Sequence, residues 1–81
     1  MKIEKKALKA LRKMPQKTAD RFMAAFADIE AGQDTAYDIT PMKGDHKGYF
    51  RLRIGDYRAI YTRDMEIIVI TAGPRGDIYK H

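Results

Sequence analysis

"GYFRLRIGDYRAIY", residues Gly48 to Tyr61, reads as a β-hairpin turning at Gly55-Asp56. A two-residue loop of that composition suits such a turn because glycine readily takes the positive φ it requires. Counting outward from the loop, Ile54 faces Tyr57, Arg53 faces Arg58, Leu52 faces Ala59, Arg51 faces Ile60 and Phe50 faces Tyr61. Residues two apart on a strand share a face, so Phe50, Leu52, Ile54, Tyr57, Ala59 and Tyr61 form one apolar surface. Arg51, Arg53 and Arg58 gather on the other. Like charges directly opposite each other destabilise a sheet. An anion seated between Arg53 and Arg58 would reverse that cost, since guanidinium forks grip phosphate at two points and stack on bases. Two readings of this face therefore stand: the wet side of a one-layer sheet, or a platform for an anion. Five of the seven arginines follow residue 50, so arginine, unlike lysine, is concentrated in the strand-forming half.

Upstream, the period changes from two to that of a helix. Leu8, Leu11 and Met14 fall on one stripe, with Lys5, Lys6, Lys9 and Lys13 around the rest as a solvated face. Pro15 breaks this helix and is tolerated in the first turn of the next, so the spacing predicts a corner there and a second helix from Gln16 to about Ala31. Its stripe is Ala19, Phe22, Met23, Phe26 and Ile29, and Gly32 is a natural stop. From Gln33 to Lys47 the period vanishes, which predicts a connecting loop. Downstream, "EIIVITA" (66–72) suits a strand covered on both faces, the alternative being an apolar patch awaiting a partner. "GPRGDIYKH" (73–81) reads as a turn and a short extended tail. The predicted fold is α+β: an N-terminal helical hairpin packed on a small antiparallel sheet. "MKIEK" leaves room only for a strand stub at Met1 to Ile3.

Composition narrows the function. The 81 residues make a single domain, 1–81, with a modest core. There is no cysteine, which excludes a disulfide framework or a cysteine zinc site and fits a reducing cytoplasm. The two histidines, His46 and His81, cannot build a metal site alone, so neither metal nor cofactor is expected. The longest apolar run, Ile67 to Ile70, is too short to span a bilayer, and the first residues lack the apolar core of a signal peptide. A formal charge of +5 and a pI near 9.6 favour a polyanionic or acidic partner.

Taken together, "ALKALRKMP", "MKGDHKGYFRLRIGDYRAIY" and "ITAGPRGDIY" resemble the RelE/ParE superfamily of toxin–antitoxin toxins over nearly the whole chain. The resemblance implies the α+β architecture already read from the residues. It also implies one of two activities. RelE-like members are messenger RNA endonucleases that mostly act in the ribosomal A site, whereas ParE-like members inhibit DNA gyrase. The basic cluster sides with RelE: its two basic strand residues fall on Arg51 and Arg53, the arginine of its "YR" strand on Arg58, the arginine after the last strand on Arg75, and the tail tyrosine on Tyr79. Family lysines are arginines here at the first two positions.

The reaction so implied is attack of a ribose 2′-hydroxyl on its adjacent phosphate without metal. Arg58 and Arg75 would stabilise charge on the phosphorane, because guanidinium stays protonated at any working pH. For the same reason neither is a base. Tyr79 would move the proton, with His81 as the other candidate. Arg51, Arg53, Lys47 and Lys43 would hold RNA. The implied partners are a cognate antitoxin and messenger RNA in the A site of the 30S subunit. A gyrase inhibitor and an inactive homologue that only binds its antitoxin are the alternatives.

Overall fold

The computed structural model describes residues 1–74, apart from the His46 side chain. The elements run β1 (Lys2–Ile3), α1 (Lys5–Lys13), α2 (Gln16–Glu30), β2 (Asp38–Pro41), a 3-10 turn (Gly44–His46), β3 (Tyr49–Ile54), β4 (Tyr57–Arg63) and β5 (Ile67–Pro74). The strands form one sheet in the order β1-β5-β4-β3-β2, with both helices on one face.

Local chemistry sets the helix ends. Met14 takes extended backbone (φ −87°, ψ 164°), as the residue before a proline must, and this ends α1. Pro15 then opens α2, its carbonyl accepting the Ala19 N–H at 3.0 Å. At the far end Gly32 adopts φ +80°. Gly32 N–H reaches the Ile29 carbonyl at 3.1 Å and Gln33 N–H the Asp28 carbonyl at 2.8 Å, the paired bonds of a Schellman cap.

The hairpin has the register predicted for it: all five expected pairs are Cα partners, and Tyr49 with Thr62 extends the ladder. Gly55 has φ +60° and no non-glycine residue among those described has positive φ, so Asp56 stays outside the left-handed region. Glycine in the first central position only is the II′ arrangement, whose twist matches the strands. Leu52, Ala59 and Val69 are fully buried under Ala7, Leu11, Met14, Phe22, Ala25, Phe26 and Ile29. Phe50 stacks on Tyr61 with ring centroids 5.4 Å apart, and burial pushes the Tyr61 hydroxyl pKa up.

Four expectations are corrected. The segment predicted as a loop contains β2, antiparallel to β3; only Ile39 of this strand is drawn into the core, so no alternation announces it. The sheet is mixed rather than wholly antiparallel, because β1 pairs in parallel with β5. Beyond those two residues the ladder is extended by Glu4 N–H donating to the Val69 carbonyl at 2.9 Å. The helices bury Ala7 and Ala25 at 0% exposure, while Leu8 (37%) and Met23 (40%) stay exposed. At the closest approach to a sheet a helix is served by a small side chain, and its larger neighbours fall to the rim. Finally, β5 is covered unevenly: in its apolar run Ile67 and Val69 are buried while Ile68 and Ile70 are half-buried, and only from Thr71 to Gly73 are successive residues on both faces buried. The β4–β5 register shifts between Ile60 and Tyr61, which pair with Thr71 and Val69 and leave Ile70 without an opposite number.

A polar clamp ties the start of the chain to the sheet. Glu30, at the end of α2, accepts the Ile67 N–H at 3.1 Å. Its other carboxylate oxygen lies 2.8 Å from the Met1 ammonium, and Glu66 lies 3.2 Å from the same group. The ammonium first, and then the Ile67 N–H, hold the Glu30 carboxyl below the usual carboxylate range. Hydrogen bonds to Glu30 and then Glu66 raise the ammonium in turn.

Candidate functional site

The face of the sheet away from the helices carries the residues at the alternate positions of each strand. On β3 these are Tyr49, Arg51 and Arg53, and on β4 Arg58, Ile60 and Thr62. Arg53 and Arg58 are direct Cα partners, and Arg51 sits one pleat along, opposite Ile60. Arg53 is exposed, whereas Arg51 and Arg58 are half-buried. Ile60 is only 5% exposed yet lies outside the main core cluster. The arginine side thus has an apolar floor beneath its charges, a setting in which guanidinium stems pack and their heads stay wet.

The turn orients Arg53, whose Nε donates to the Gly55 carbonyl at 3.4 Å. On its other side, β2 sets Asp38 opposite Arg53 and Thr40 opposite Arg51. Sequence reasoning missed this acid because it assigned 33–47 to a loop; "DIT" before Pro41 was its sole signal, and that is a weak one. It missed Arg21 of α2 as well, which reaches a groove shared with Asp38 and Arg53. A charged residue outside a helix's apolar stripe gives no sign of what lies beside it.

The remaining predicted residues divide in two. Lys43 and Lys47 are exposed and flank the 3-10 turn, where the Lys47 N–H donates to the Gly44 carbonyl at 3.1 Å. This turn lies at the far end of β3 from Arg53, so the lysines border the open face and do not join the Arg53–Arg58 pair. Arg75, Tyr79 and His81 lie outside the described residues. At the end of β5, Gly73 is the partner of Arg58 and Pro74 of Tyr57, so the described chain ends beside Arg58. No helix among the described residues is long and apolar enough to cross a membrane.

What this arrangement can do chemically is bind and polarise a polyanion. Two guanidiniums on facing strands, a third one pleat away and a net charge of +5 present several fork donors to one side.

Comparison with known proteins places the chain. Among curated proteins, none matches the sequence. Similar solved structures include the RelB–RelE antitoxin–toxin complex of Methanococcus jannaschii, with TM-score 0.82 and 24% identity over 98% of this chain and 95% of that one. The toxin–antitoxin complex RelBE2 of Mycobacterium tuberculosis gives TM-score 0.74 and 22% identity over 91% and 94%. YafQ of E. coli gives TM-score 0.74 and 14% identity over 98% and 96%. At these identities the likeness is one of fold: two helices on a five-stranded mixed sheet. The family model for the ParE toxin of the type II toxin–antitoxin system parDE matches residues 1–79. Because that match spans nearly the whole sequence, the chain belongs to this family of type II toxins, within the RelE/ParE superfamily.

Proposed function

We propose that this toxin is a messenger RNA endonuclease acting at the ribosomal A site. The observation that carries the reading is the register that sets Arg53 opposite Arg58 on the open face, with Arg51 beside them. Two guanidiniums forced onto one rung repel each other unless an anion lies beside them. An RNA backbone supplies such anions, the scissile phosphate at Arg58 and a flanking phosphate at Arg53.

In the reaction, the 2′-oxygen attacks the adjacent phosphorus and the bond to the 5′-oxygen of the next nucleotide breaks. A 2′,3′-cyclic phosphate and a 5′-hydroxyl result. Arg58 and Arg75 stabilise charge on the phosphorane. Tyr79 transfers the proton from the nucleophile to the leaving oxygen, with His81 as the alternative group. Arg51 and Arg53 hold the flanking backbone, and Lys43 and Lys47 the strand beyond it. Outside the ribosome the toxin pairs with an acidic antitoxin in the cytoplasm; the RelE and RelBE2 relatives were solved as toxin–antitoxin complexes.

The test is primer extension on a defined messenger RNA with and without programmed ribosomes, comparing wild type with Arg75→Ala. Cuts that need both ribosomes and Arg75 support the reading. Absence of cuts from folded wild type overturns it. One observation favours a second reading, inhibition of gyrase: the matching family model is that of ParE toxins. That reading expects toxicity to survive Arg75→Ala and Tyr79→Phe, with a DNA-damage response in place of translational arrest.

A further inference from the structure

Beside the hairpin turn, α2, the segment before β2 and the end of β3 enclose an open groove of about 380 Å³. Arg21, Ala24, Tyr37, Asp38, Arg53 and Ile54 line it. Its chemistry differs from the rest of the basic face, because a carboxylate shares it with two guanidiniums. Asp38 is the Cα partner of Arg53. Even so, among the described residues no ion pair joins them, and the side chains of Asp38 and Arg21 make no hydrogen bond or ion pair. Arg53 donates its Nε to the Gly55 carbonyl. The walls are built: the Tyr37 hydroxyl donates to Asp28 on α2, and Ile54, 6% exposed, forms an apolar floor.

We infer that this groove is a nucleotide subsite, with Arg21 and Arg53 on the phosphate and Asp38 reading the edge of the base. The inference rests on the nuclease reading and supplies it with a selectivity element. Adjacent strands are about 4.8 Å apart, so Asp38 on β2 stands two strands, roughly 10 Å, from Arg58 on β4. A base flanking the scissile phosphate spans that distance. An acidic peptide would satisfy the two arginines but meet repulsion from Asp38. A nucleotide carries both an anion and a donor edge.

The carboxylate also ranks the bases. Guanine offers it two adjacent donors, N1–H and the exocyclic amine. Cytosine and adenine each offer one exocyclic amine. Uracil offers a single N–H flanked by two carbonyl oxygens, which the carboxylate repels. The groove therefore prefers guanine and rejects uracil.

NMR titration of the full chain with GMP, CMP, AMP and UMP tests this. The expected result is shifts at Ala24, Asp38 and Ile54, with GMP binding about tenfold tighter than UMP, the scale of one good bidentate pair. Asp38→Asn, checked by its amide spectrum for an intact fold, should bring the nucleotides close to parity. Arg21→Ala should weaken all four by a similar factor. Equal binding of the four by wild type, shifts elsewhere, or a ranking that survives Asp38→Asn overturns the subsite. So does a groove that answers to an acidic antitoxin peptide and to no nucleotide. The primer-extension assay separates this from the nuclease reading: a chain that ranks nucleotides in the groove but cuts no message keeps the subsite and loses the nuclease, and the reverse result does the opposite.

Discussion

The two faces of the sheet are made by the same strands and could hardly differ more. Leu52, Ala59 and Val69, at 0% exposure, look into the helices. Arg51, Arg53 and Arg58, in alternation with them, look away. Because side chains alternate with a period of two, the register that seals the core also brings the guanidiniums together. A slip of one residue would bury arginine and expose leucine, so the apolar face holds the charged face in place. The sealing of the core and the gathering of the guanidiniums are thereby coupled through backbone geometry.

That comparison breaks most visibly from the covered side. Phe26→Ala removes a fully buried ring that packs near Phe22, with centroids 6.0 Å apart. We expect a loss of about 3–5 kcal/mol, a large part of the roughly 5–15 kcal/mol that holds such a domain together. Urea denaturation reads it, and an unmoved midpoint would show that the helices do not hold the sheet. Arg58→Ala attacks the other face. Cleavage should fall by about 10²–10³-fold, as when one charge-stabilising donor is removed from an active site, with a far smaller change in the urea midpoint than Phe26→Ala gives. Equal damage to activity and stability would mean that the open face is structural.

The link between the faces is tested at the turn. Gly55→Ala meets no atom within 4 Å of the added carbon, so its cost is only that of φ +60° in an L-residue. This is about 1–2 kcal/mol, read in the same denaturation series, and no change would mean that the turn does not hold the register. The smallest effect belongs to the clamp at Glu30. Its lowered carboxyl pKa contributes stability that is complete above about pH 4.5 and is lost as pH falls through the lowered value. The raised Met1 ammonium contributes stability complete below about pH 8.0 and lost as pH rises through its raised value. Thermal unfolding temperature should therefore be flat between those limits and fall on both sides. Glu30→Gln should flatten the acid limb, and an identical profile would remove the clamp from the account.

How much of this could be read from the residues depended on how local the signal was. The hairpin carried its own register, because a two-residue Gly-Asp loop leaves one way to count outward. The two helices carried their boundaries, through Pro15 and Gly32. Their inward stripes were read less well: the eye follows Leu8 and Met23, but the sheet admits Ala7 and Ala25. Hydrophobicity alone does not report the distance between two backbones.

The sequence by itself determined the α+β class, the turn at Gly55 and the gathering of Arg51, Arg53 and Arg58 on one face, because each follows from neighbours a few residues apart. Only the tertiary structure decided the two edge strands. β1 has two residues and exists through its parallel pairing with β5. β2 tolerates Pro41 because an outer strand has a side that needs no hydrogen-bond partner. The groove that joins Arg21 and Asp38 to Arg53 follows from those choices. Its residues lie far apart along the chain, and no period relates them; what unites them is the packing of α2 across a strand that forms only when its neighbour is there.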